Sequence, residues 1–182
     1  MNFDIPIESA KDWIPIIAAM MLTFIAAGFD LKYMKIPNKL NLVGMVAGIA
    51  MNVFLYGLHG LVCGGLGILV GFAFILLYAF GVLGAGDVKL FMAVGACVGP
   101  KNCILVIAGA FVFGALVGII VLLLRKNGKH RLMHLYRYFW LFAVTKKLTK
   151  YEVIDAENDA YFSFGACIAA GTVIFAALAY FM

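Results

Sequence analysis

Two aspartates stand apart from the other acidic residues of this 182-residue chain. Of nine acidic side chains, Asp4, Glu8 and Asp12 lie near the start, and Glu152, Asp155, Glu157 and Asp159 lie together before the last apolar run. Asp30 and Asp87 remain, each at the edge of a long uncharged stretch. An ionisable residue at membrane depth is costly and is by default a functional hypothesis. Two carboxylates sharing a site cannot both ionise easily; one keeps a proton, the other acts as a base, and the titration belongs to the pair. Such a pair can activate water with one member and protonate a peptide oxygen with the other. That chemistry requires no metal and no cofactor, and none is expected.

The stretch VLGAGDVKLFM, residues 82 to 92, places Gly84 and Gly86 directly before Asp87. Lacking a Cβ, glycine lets the backbone leave helical geometry and lets another chain approach closely. A protease must read an extended peptide, commonly by strand addition. Non-helical backbone is tolerated at membrane depth where it lines a cavity. Gly84 and Gly86 are therefore expected to open the backbone beside Asp87. A plainer reading stands next to this one. Asp87 is a good N-cap for the following helix, and Asp30 can belong to an ordinary loop with Pro37 starting the next helix.

Other chemistries find little support. Cys63, Cys97, Cys103 and Cys167 form no C-x-x-C pair and lie in or beside apolar runs, as buried inert thiols do. His59, His130 and His134 fall at loops or interfaces and form no ligand set with the carboxylates. No metal site is expected.

The elements that must position the aspartates follow from composition. The chain is 65% hydrophobic and 13% charged, with a mean hydropathy of +1.06. A soluble domain is about 45–50% apolar and about a quarter charged. Uncharged runs cover Trp13 to Phe29, Leu40 to Leu58, Gly60 to Gly86, Leu90 to Pro100, Asn102 to Leu124 and Ala160 to Met182. About 20 residues of helix cross about 30 Å of hydrocarbon. Barrel strands would alternate in polarity, and these runs do not. The expectation is an all-α polytopic membrane protein of six transmembrane helices, the fourth short, forming one compact domain over residues 1–182. The N-terminus lacks the positive region of a cleavable signal, since Asp4, Glu8 and Asp12 accompany only Lys11.

Orientation follows from the cations. Lys32, Lys35, Lys39, Lys89 and the eight Lys and Arg residues between 125 and 150 fall on one side of a six-helix path. Only Lys11 and Lys101 fall on the other. The positive-inside rule then puts the first side in the cytoplasm and both termini outside, in a multi-pass plasma-membrane protein. The net charge of +5 is thus a topology signal, and no nucleic-acid partner is expected. Residues 125–159 read as a basic amphipathic cytoplasmic loop lying on anionic lipid. No pattern specifies an oligomeric state.

Three motifs resemble one family. The segment DLKYMKIPNKL, residues 30 to 40, resembles the first aspartate motif of type IV prepilin peptidases, or leader peptidases. GAGDVKLFMAVGACVG, residues 84 to 99, is similar to their G-x-G-D segment and the helix after it. YFSFGACIAAG, residues 161 to 171, resembles the last-helix pattern, with Ser163 where a proline is common. The resemblance implies an integral-membrane aspartic endopeptidase that removes the leader of prepilins or preflagellin-like proteins at the cytoplasmic face. It implies Asp30 and Asp87 as the catalytic pair and Gly84 and Gly86 as site-shaping. Ile36, Pro37, Asn38 and Lys89 match motif positions with a structural role. Only twelve residues precede the first helix, without paired C-x-x-C motifs. The chain therefore resembles short peptidase-only members, of tight-adherence pilus or preflagellin type, and N-methylation is expected to be absent or supplied by another protein.

Two rivals are weighed against this. The presenilin and signal peptide peptidase group shares the G-x-G-D idea but carries a Tyr-Asp pair, whereas Asp30 here follows Phe29. A non-enzymatic carrier or pilus-assembly scaffold would use the aspartates to pass protons or bind a helix. Carriers place such charges near the midplane, often with repeat symmetry, and no repeat is evident.

Overall fold

A computed structural model describes residues 10–124 and 163–181, and every regular element among them is helical. A 3-10 turn, Ala10–Asp12, leads into α1, Trp13–Tyr33. Then come α2, Asn38–Ala73; α3, Ile75–Ala79; α4, Ala85–Val98; α5, Pro100–Leu124; and α6, Phe164–Phe181. The basic loop of residues 125–159 lies outside the described residues. The chain up to Gly114, together with Ser163 onward, forms one compact unit; residues 115–162 form a second, described only over the end of α5.

Four helical runs are long and apolar enough to cross a membrane: Trp13–Tyr33, Asn38–Ala79, Pro100–Val121 and Phe164–Phe181. Helices suit lipid because they satisfy their own backbone polar groups. The second run has 42 residues. At about 1.5 Å per residue a straight helix of that length is far longer than the ~30 Å apolar layer. It is not straight. Gly57 has φ 60° and ψ −137°, a left-handed region open to glycine. Beyond it the chain folds back, so that a Cβ on Gly60 would strike the backbone of Asn52. In a straight helix, residues eight apart are separated by about 12 Å. So α2 is two antiparallel arms, 38–56 and 58–73.

The uncharged run from Gly60 to Gly86, read from sequence as a single crossing, is broken in the structure. The second arm ends at Ala73, α3 is a five-residue helix, and a turn through Gly81 at φ 73° precedes α4. The stretch carries no charge, so composition does not distinguish its helix from its turn. Lys89, one of the cations assigned to the cytoplasmic side, lies within the first turns of α4.

Helix α4 is the best-buried element. Leu90, Phe91, Ala93, Val94 and Ala96 are fully enclosed. Lipid tails are as apolar as these side chains, so helices associate through close packing and polar satisfaction. Both devices are present. Gly67 and Gly95 bring the backbones of α2 and α4 into contact, leaving no room for a side chain at either position. Asn52, buried on the first arm of α2, donates from Nδ2 to the carbonyls of Ala96 and Cys97, both at 2.8 Å. A ring cluster then ties α4 to its neighbours: Phe91 meets Phe74 at 5.6 Å and Phe164 at 6.2 Å between centroids, and Phe111 meets Phe164 at 5.6 Å. The cluster pins the start of α6 beside α4.

Candidate active site

Asp30 lies in the last turn of α1, which ends at Met34 in the left-handed conformation with its N–H on the Asp30 carbonyl at 2.9 Å. A helix C-terminus carries partial negative charge and disfavours an anion. Compensation comes from α6. Ser163, just before that helix, donates its hydroxyl to Asp30 Oδ2 at 2.6 Å, and the Gly165 N–H donates to the same oxygen at 2.9 Å. Donors at a helix N-terminus are suited to a carboxylate. Oδ1 of Asp30 accepts no hydrogen bond among the described residues.

Asp87 is the third residue of α4, and its Oδ2 accepts the Gly84 N–H at 3.2 Å. Asp87 is therefore not the N-cap expected from sequence, a position that Gly84 takes; it reaches back to the Gly84 N–H from inside the helix with one carboxylate oxygen. Helices α1 and α4 are in contact, and the Asp30 charge reaches Asp87. Two side chains 57 positions apart in sequence thus share one electrostatic environment at helix ends.

The remaining motif residues gather around the start of α4. Gly84 is extended, at φ −75° and ψ 148°, angles open to any residue. Gly86 is helical, so the expected opening of the backbone there is not found. Its missing Cβ serves close packing instead, since a Cβ would lie 3.3 Å from Ile36 Cβ. Ile36 is buried at 4% exposure, and Pro37 starts α2 in an extended conformation. Asn38 Oδ1 accepts from the Lys89 ammonium at 2.9 Å. Asn41, which sequence reasoning did not single out, donates from Nδ2 to the Gly86 carbonyl at 3.1 Å. The I-P-N segment is therefore a brace for the G-x-G-D turn.

Ser163 and Gly165 are the other residues missed as site components. The signal was the hydroxyl at the mouth of the last helix, read only as a departure from a proline pattern. Asp12 was assigned to the tail, yet it is buried at 2% exposure and accepts the Tyr56 hydroxyl at 2.6 Å. It stands at the opposite end of α1 from Asp30, about 27 Å away at the helical rise. Among the described residues, no group of three or more His, Cys, Asp or Glu side chains is arranged to hold a metal ion.

These features define a class: a protein helical throughout its described residues, with helices apolar enough to cross a membrane and an aspartate at the end of each of two helices that touch. The type IV leader peptidase family model matches residues 17–119, which include both aspartates. The chain belongs to that family. It is 33% identical over 107 residues to the prepilin leader peptidase/N-methyltransferase of Bacillus subtilis (strain 168). That match covers 57% of this chain and 41% of the Bacillus protein. No solved structure matches the chain.

Proposed function

We propose that this chain is a membrane aspartic endopeptidase that removes the leader of prepilin-like substrates at the cytoplasmic face, with Asp30 and Asp87 as the catalytic pair. The observation that supports the proposal is the latching by the start of α6 of Asp30, on a helix that touches α4, whose first turn holds Asp87. Family membership and the activity for which the Bacillus relative is named support the reaction class. The methyltransferase half of that relative's name is not assigned to this chain.

In the proposed reaction a water sits between the carboxyl groups. The ionised member takes its proton as the water oxygen attacks the scissile carbonyl carbon. The protonated member gives its proton to the carbonyl oxygen, forming a neutral tetrahedral intermediate. Collapse breaks the C–N bond, the nitrogen takes a proton from one carboxyl group, and the diol returns a proton to the other. No metal enters, so activity of purified protein should persist in excess EDTA; loss restored by added zinc would contradict the scheme.

Ser163 positions Asp30 by restraining its carboxylate through Oδ2. A hydrogen bond to a charged group is worth about 1.5–3 kcal/mol. Ser163→Ala should therefore lower kcat roughly 10- to 100-fold, with KM little changed, and Ser163→Thr should restore most of it. A rise in KM at constant kcat would place Ser163 on substrate instead.

The proposed topology has six crossings: α1, the two arms of α2 (the second extended by α3), α4, α5 and α6. The reversal at Gly57 supports the count, and the charge asymmetry supports a cytoplasmic site with both termini outside. In intact cells a membrane-impermeant maleimide should label Lys101→Cys and spare Lys39→Cys. The four native cysteines are buried, so background should be low. Reversed labelling would invert the orientation.

A further inference from the structure

A cleft of about 580 Å³ opens on the side of α4 carrying Lys89 and Met92, between the start of α2 and the region around α3. Its volume falls in the range of about 300–1,000 Å³ usual for small-molecule sites. The walls are apolar, with Leu42, Met45, Phe72 and Met92 along them. Leu42 and Phe72 are also strongly exposed on the helix surface. In a bilayer those surfaces face acyl chains. One end of the cleft is different, because Lys89, Asn38 and Asn41 line it.

Among the described residues no ion pair meets the charge at that end. Among the described residues the Lys89 ammonium bonds only to the neutral amide oxygen of Asn38. Asp87 lies two positions back on the same helix, with its Oδ2 on the Gly84 N–H. Lys35, on the adjoining loop, and Lys39, in the first turn of α2, stand exposed. Asn41 supplies a second, independent sign. It is buried at 1% exposure, its Nδ2 is committed to the Gly86 carbonyl, and among the described residues its Oδ1, like that of Asn52 deeper in the bundle, is enclosed without a hydrogen-bond partner; of the two, only Asn41 lines the cleft. Orphaned buried polar atoms are rare and call for an explanation.

We infer that this cleft is a binding site for one anionic phospholipid, its phosphate on Lys89 and an acyl chain along Leu42, Met45 and Met92. An apolar trench ending in an unpaired cation complements an amphiphile with an anionic head. A zwitterionic lipid would bring a second positive charge to a place already rich in lysine. A headgroup hydroxyl, as in phosphatidylglycerol, suits the amide-lined end formed by Asn38 and Asn41. Basic pockets between membrane helices on the cytoplasmic side take anionic headgroups by this logic. Through Asn41 and Gly86 the bound lipid would touch the backbone immediately before Asp87.

The test uses the full chain in phosphatidylcholine nanodiscs doped with a diazirine-tailed lipid, either phosphatidylglycerol or phosphatidylcholine. Cross-links are mapped by mass spectrometry, with no cleavage assay, so the outcome is independent of the proposed peptidase activity. Cross-linking within residues 41–45 and 89–92 should be at least fivefold greater with the phosphatidylglycerol probe. Lys89→Gln should bring the two probes to parity, while Lys89→Arg keeps the preference. Should Lys89→Gln fail to accumulate, Met45→Trp narrows the cleft with the charge intact and should reduce labelling by both probes. Equal labelling of wild type by both probes, or a preference unchanged in Lys89→Gln, would mean ordinary annular lipid and overturn the inference. Capture of a protein chain by a photo-crosslinking amino acid placed at position 45 would overturn it too.

Discussion

Asp30→Asn and Asp87→Asn should each reduce cleavage of a co-expressed prepilin by about 10³-fold or more, while each variant still accumulates in the membrane. General acid–base groups contribute about 10²–10⁴-fold apiece. In the proposed site each carboxyl group depends on the other. Groups that act as a unit are strongly non-additive, so the double variant should be hardly worse than either single one. Asn keeps the shape of Asp and can still accept from Ser163 and Gly165 through its carbonyl oxygen, so the loss would report the titrating carboxyl and not the latch. Glu should fail as well, because its additional methylene displaces the carboxylate beyond the ~0.5 Å that a catalytic site tolerates. Asp155→Asn, in the acidic segment far along the chain, serves as the control and should process normally. The readout is the gel shift of the prepilin, with the released leader identified by mass. Near-normal processing by either single variant would end the aspartic-protease proposal and favour a carrier or scaffold.

The second large effect is expected at Gly165. A Cβ on this residue would lie 2.9 Å from Asp30 Oδ2 and 3.0 Å from Asp30 Cβ. Gly165→Ala must therefore push the Asp30 side chain aside or tilt the first turn of α6. Misplacement of a catalytic group by about 1 Å can cost roughly 10²-fold, and a loss of that size is expected in kcat. Gly65→Ala provides the comparison, since a Cβ there meets nothing within 4 Å. It should leave processing unchanged and favour the helix slightly, as alanine exceeds glycine in helix propensity. Equal activity of Gly165→Ala and wild type would show that Asp30 is free to move.

What could be read from sequence followed local chemistry. Asp30 and Asp87 could be singled out because charge is conspicuous in an apolar chain, and the short fourth helix because the run from Leu90 to Pro100 is itself short. The reversal in α2 was approximately legible, because His59 interrupts the apolar sequence near Gly57. The break at Phe74 was not, since α3 and the turn at Gly81 lie within an uninterrupted uncharged run. The roles of Ser163 and Asn41 were hidden for another reason. Each acts on a partner far along the chain, Asp30 for one and Gly86 for the other, and neither has a local pattern that points there. Gly86 was singled out for conformational freedom, yet in a regular helix it provides the space that Ile36 fills.

The hydrogen bonds from Ser163 and Gly165 also bear on how the protein is made. They reach Asp30 across 133 and 135 positions of sequence. A nascent chain that has emerged only as far as α5 already holds both aspartates, but the group that restrains Asp30 is still unsynthesised. On the proposed chemistry, hydrolytic competence arrives with the final helix, after the preceding segments have been inserted. A ribosome stalled before residue 163 would leave an inert fragment in the bilayer, and its neighbours would be spared an unfinished protease.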